Sequence, residues 1–142
     1  MDYRRQGNDV IVRLDKGEEV IESMKKLMDE LEIKAGSFSG LGATDDAALG
    51  IYIPADSQYY RKEFKQDVEI ASLFGTLSRM DGEPYIHPHA VLGDPVHGVI
   101  DGGHLERAVI SATCEIHLKI LDLDLGRKFS DEIGLNLLTF ED

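Results

Sequence analysis

Residues 109–123, VISATCEIHLKILDL, form a long alternating run that constrains the fold more than any other stretch of the chain. Apolar and polar side chains trade places with a period of two, the pattern of a strand, and part of the run reads as covered on both faces. A strand of that length needs hydrogen-bonding neighbours for its backbone. The sequence supplies them. Asp9–Leu14 (DVIVRL) puts Val10, Val12 and Leu14 on one face. Ile33–Leu41, rich in small residues, and Ala48–Ile53 read as two further strands. Tyr59–Lys65 alternates loosely, Val68–Leu77 is long, Tyr85–Leu92 is extended, and Asn136–Phe140 adds a last strand. Pro54-Ala55-Asp56-Ser57 and Met80-Asp81-Gly82-Glu83-Pro84 mark turns between them. Gly75, inside a strand pattern, marks a bulge or a point of close backbone approach.

One segment departs from this period. Val20, Ile21, Met24, Leu27, Met28 and Leu31 recur at helical spacing, with Glu22, Lys25, Lys26 and Asp29 on the opposite face. That is an amphipathic helix. Asp15-Lys16-Gly17-Glu18 before it has the form of a capping box, Asp15 accepting and Glu18 reaching back. The expected fold class is α+β: a mostly antiparallel β-sheet with a few packed helices, compact, in a single domain over residues 1–142. There is no repeat, linker or low-complexity segment.

Charge and cysteine usage narrow the function classes. The net charge is −12, and the basic residues are scattered in pairs such as Arg4-Arg5, Lys25-Lys26, Arg61-Lys62 and Arg127-Lys128. Contact with DNA through such a surface is electrostatically disfavoured, because phosphate binding draws on clustered Lys and Arg. No stretch approaches the run of about twenty apolar residues that spans a bilayer. The polar N-terminus MDYRRQGNDV does not read as a secretory signal. Cys114, alone and among apolar neighbours, reads as a small buried residue of a reducing compartment, which makes the cytoplasm the expected location.

Four of the five histidines lie between Ile86 and Leu105, in IHPHAVLGDPVHGVIDGGHL. His87 and His89 are two apart, so on a strand both rings share one face. Pro88 between them suits an edge or a bulge. His104 follows Gly102-Gly103, and a tight turn at the glycine pair could return its ring to the first two. Three imidazoles with a fourth position open is a recognised pattern for zinc, and nitrogen donors also admit other divalent transition metals. Asp94, Asp101 and Glu106 lie near enough in sequence to orient the rings. The competing reading is a turn-rich hairpin with surface histidines. His97 reads as a loop residue or an outer partner of the site, and His117 as a satisfied sheet residue.

Other chemistry is not supported. Gly40-Leu41-Gly42-Ala43 is followed by neither a helix nor a Lys-Ser/Thr pair, so it is no phosphate loop or dinucleotide fingerprint. Gly75-Thr76-Leu77-Ser78 lacks a nucleophile-elbow pattern. Asp45-Asp46 and Glu18-Glu19 read as solvated turn and helix-start residues. No residue is assigned a catalytic role.

Taken in order, several motifs resemble a known family. They are L-x-x-G-E-x-V (Leu14, Gly17, Glu18, Val20), G-L-G-A (Gly40–Ala43) and E-I-A-S-L-F-G-T-L-S (Glu69–Ser78). D-G-E-P-Y-I-H-P-H, Gly93-Asp94 and G-G-H-L (Gly102–Leu105) complete the series. Nearly the whole chain is similar to the PPC domain, the plant and prokaryote conserved domain. The resemblance implies an antiparallel sheet with packed helices, assembly as a homotrimer, and a metal held by His87, His89 and His104. In plant members the domain follows an Arg-Gly-Arg-Pro segment that enters the minor groove, which implies a DNA-associated interaction or regulatory module. This chain contains no Arg-Gly-Arg-Pro.

Overall fold

A computed structural model describes residues 1–140. In chain order the elements are β1 (Asp2–Gln6), β2 (Asp9–Asp15), α1 (Val20–Glu30), β3 (Gly36–Ile53) and β4 (Gln58–Phe64). They continue with β5 (Val68–Met80), β6 (Glu83–Asp94), β7 (Val99–Ile120), β8 (Leu125–Ser130) and β9 (Leu135–Phe140). All pairings are antiparallel. The mostly antiparallel sheet is as expected, but α1 is the one helix among the described residues, where a few were expected.

Two very long strands organise the sheet. On one edge β3 pairs with β7; on the other it pairs first with β5 and then with β4. β7 gives its other edge to β6 near its start and to β2 near its end. With β5 paired to β6, the ladders β3–β5–β6–β7–β3 form a closed circuit. Closure protects the edges of these strands. The inward side chains pack into one core that includes Phe38, Leu73, Leu77, Leu92 and Ile116. Cys114 is fully buried in it, and burial pushes its thiol up to about 12.

Several differences from the sequence reading have physical reasons. The segments 33–41 and 48–53 are not separate strands: β3 starts at Gly36, continues from the first into the second, and absorbs the break as register shifts at Gly42, Thr44 and Asp46. Asp45-Asp46 therefore lies within a strand, not in a solvated turn. There Asp46 holds Lys65 at 2.7 Å and Arg107 at 2.6 Å. β1 and β8, too polar to show a clear pattern, were not expected. Gly75 is a close-approach point: a Cβ there would lie 2.8 Å from the Phe38 ring.

The helix starts later than the capping-box pattern implies. Glu18 does reach back to the Asp15 N–H at 2.8 Å. However, Gly17 donates to Ile110 and Glu18 accepts from Ile110, so this segment is bound to β7 before the helix begins. Glu19 is the N-cap. One of its carboxylate oxygens accepts from the Glu22 N–H at 2.8 Å, and the other from the Ala108 N–H of β7 at 3.0 Å. The helix buries Val20, Met24, Leu27 and Met28 and packs on β6 and β7. Replacing Glu19 with alanine is expected to cost about 1–2 kcal/mol, because a cap and a strand tie are lost together. Chemical denaturation would show it as a lower midpoint with an unchanged slope.

Candidate metal centre

Strand alternation points Ile86, Pro88 and Ala90 of β6 into the core and leaves His87 and His89 on the opposite face. Pro88 sits one residue beyond the β6–β7 ladder, which begins at His89, so β6 has a paired neighbour on one side only there. A missing N–H is tolerated at such a position. On β7, His104 stands directly opposite His89 in the ladder. The three rings converge: centroids are 5.2 Å apart for His87–His89, 5.3 Å for His87–His104 and 5.7 Å for His89–His104. One nitrogen from each lies within 4.8 Å of the other two.

The route to this convergence is not the one the sequence suggested. Gly102-Gly103 makes no turn; both residues lie inside β7, opposite Val91 and Ala90 of β6. Register across two strands brings the third ring in. Gly103 is needed for another reason. A Cβ there would lie 2.7 Å from the Gly50 carbonyl oxygen of β3, so its absence lets β3 and β7 close up beside His104.

The trio fits a tetrahedral cation. Zinc–imidazole bonds of about 2.0–2.1 Å at tetrahedral angles set ligand nitrogens about 3.4 Å apart, within reach of small side-chain rotations. Two of the rings, His87 and His104, are also held toward the metal-binding, neutral form. Burial in the cleft, reinforced by the His104 ring, the Arg127 guanidinium and the His89 ring, lowers His87 to about 4. Burial, with His89 beside it, also lowers His104.

The carboxylates nominated as ring partners are occupied elsewhere. Asp94 receives His97 at 2.6 Å, Asp101 receives Lys62 at 2.8 Å, and Glu106 receives Arg61 at 2.8 Å. His97 is an exposed loop residue outside the trio, and His117 is satisfied by Asp9 at 2.9 Å on the sheet surface.

The trio opens onto a cleft of about 460 Å³ between the main sheet and the β8–β9 hairpin. Tyr59, Tyr85, Leu137 and Arg127 line it together with the histidines. Tyr59 stands edge-on to His104 at 6.5 Å, and burial together with Glu106 pushes its hydroxyl above the ordinary range. The sequence reading missed this wall. Arg127 lies in Gly126-Arg127-Lys128, which has no motif, and the tyrosines have no spacing relation to the histidines.

A sequence profile described as the Plants and Prokaryotes Conserved (PCC) domain matches residues 1–122. Solved structures similar to the chain include a protein from Bacteroides thetaiotaomicron called a "putative dna binding protein". It is 28% identical with a TM-score of 0.94, covering 99% of this chain and 98% of that one. A metal-containing protein from Archaeoglobus fulgidus is 30% identical with a TM-score of 0.88, covering 98% and 99%. A plant- and prokaryote-conserved protein from Pyrococcus horikoshii is 27% identical with a TM-score of 0.84, covering 99% and 95%. No curated protein matches the chain.

Proposed function

The chain belongs to the Plants and Prokaryotes Conserved domain family, and from that premise we propose that it is a homotrimeric metal protein binding one divalent transition metal per chain. The observation that carries this reading is the convergence of His87, His89 and His104 from two adjacent strands onto one open cleft. Zinc is the proposed ion, since three imidazoles with a vacant fourth position suit it. A bound cation of this kind can polarise a carbonyl or activate water. The metal-containing relative from A. fulgidus supports the binding of a metal. Inductively coupled plasma mass spectrometry on untagged protein tests it: about one equivalent of metal per chain is expected, and a metal-free protein after zinc is added back returns the histidines to the surface reading.

Exposed apolar side chains support self-association. Ile11, Leu41 and Phe74 are 57, 56 and 55% exposed and lie on the outer face of the sheet. Phe74 is directly opposite His89, with ring centroids 6.2 Å apart, so a second copy covering it would border the cleft. Light scattering is expected to give three times the 15.8 kDa chain mass. A monomer mass in dilute solution would count against the trimer.

A DNA-associated role, as an interaction or regulatory module, is the second reading, favoured by the name of the B. thetaiotaomicron relative. The net charge of −12 argues against direct phosphate contact, so this role would run through partner proteins. Recovery of neither nucleic acid nor DNA-binding partners in pull-downs would set it aside. No helix among the described residues is long and apolar enough to cross a membrane. The buried, unreactive Cys114 supports a cytoplasmic location, which cell fractionation checks.

A further inference from the structure

Arg127 is a half-buried cation with no carboxylate partner among the described residues. It projects from β8 across the end of the histidine face. Its Nε donates to the Ser78 hydroxyl at 3.1 Å, one Nη to the Asn136 carbonyl at 3.2 Å, and the other Nη to the Thr76 hydroxyl at 3.2 Å. The guanidinium carbon lies 4.8 Å from the Tyr85 ring centroid. Every one of these partners is neutral. The other half-buried arginines are paired with carboxylates: Arg79 with Asp29 at 3.0 Å and Arg107 with Asp46 at 2.6 Å. Burial weakens the hold of Arg127 on its proton, as expected of a cation with no carboxylate partner among the described residues.

Its position gives that isolation a direction. Thr76, which the guanidinium touches, is paired across the β5–β6 ladder with His87. Such side chains stand about 5 Å apart on one face, so Arg127 sits beside the trio in the same cleft. The site thus presents two positive features to one small apolar-walled volume: the cation that the trio would hold and a planar guanidinium.

We propose that Arg127 is an anion anchor, and that the cleft takes a small organic carboxylate. Its carboxylate lies on Arg127 while a second oxygen of the same molecule takes the open coordination position of the metal. The proposal rests on the metal reading. A guanidinium is the side chain best suited to a carboxylate, since its two N–H groups match the two oxygens. A ligand spanning both features also supplies the negative partner that Arg127 lacks among the described residues.

Cobalt(II)-loaded protein provides the test, because the visible spectrum of the ion reports entry of an oxygen ligand without any assay of activity. Oxalate, malonate and succinate are titrated as a ladder of lengths, with malonamide as the uncharged counterpart of malonate. Wild type is expected to take up one cobalt per chain and to bind at least one dicarboxylate with a spectral change. Arg127→Gln is expected to keep its cobalt and lose about tenfold or more in that affinity. If the substitution unfolds the hairpin, the comparison of malonate with malonamide on wild type carries the test: equal binding of the two sinks the proposal. Equal dicarboxylate affinity in wild type and Arg127→Gln, or no dicarboxylate binding to cobalt-loaded wild type, overturns the anchor alone. Failure of wild type to take up cobalt overturns the metal reading and the anchor with it.

Discussion

A chain carrying His87→Ala and His104→Ala is expected to lose its metal and keep its fold. The substitutions remove two of three nitrogen donors. Even partners one step removed from a metal are worth about 10–100-fold in affinity, so the loss here is larger than that. The fold should survive because both rings face the cleft rather than the core. Metal content by mass spectrometry should fall from near one equivalent per chain to background. Thermal stability supplies a second reading. A ligand that binds only the folded chain at 100 times its dissociation constant stabilises by about 2.7 kcal/mol. A chelator should therefore lower the melting temperature of wild type and leave the double variant unmoved. A double variant that retains wild-type metal content would remove the trio from consideration.

Gly103→Ala is expected to damage the site without touching a ligand. The added Cβ would lie 2.7 Å from the Gly50 carbonyl, closer than real Cβ atoms approach, and that atom belongs to a backbone held in the β3–β7 ladder. The strands must separate beside His104, at the overpacking cost of about 1–3 kcal/mol. Metal affinity should fall with stability. Gly102→Ala is the control: its Cβ would meet Ala90 and Val91 atoms at 3.5 Å, an ordinary contact. Denaturation midpoints and zinc titrations of the two variants should diverge sharply. Equal behaviour would mean that β3 and β7 need no close approach here.

Much of the sheet was legible from period-two patterning because the buried face is continuous in sequence. Val10, Val12 and Leu14 were placed correctly on one strand, and the run from residue 109 lies within β7 as far as Ile120, where the strand ends three residues short of Leu123. The helix was legible for the same reason at a different period: Val20, Met24, Leu27 and Met28 are its buried stripe. What failed was continuity. A strand that bends through bulges, as β3 does near Thr44, reads as two strands, since local sequence marks the irregularity but not the ladder that carries the chain across it. The polar hairpin of β8 and β9 was half missed because it draws little on the core for its pattern.

By itself the sequence determined the strand periods, the amphipathic stripe of α1, the family through its ordered motifs, and the placing of His87 and His89 on one strand face. The tertiary structure alone decided that His104 meets them. That meeting depends on the β6–β7 register, which pairs residues fifteen apart in sequence, His89 with His104, and on Gly103 letting β3 approach. It alone placed Arg127 in the same cleft, by folding the β8–β9 hairpin over Thr76 and Ser78. The reason is physical. Side-chain periodicity is a local property that each strand carries alone, whereas register and layer contact are set only when distant strands compete for one core.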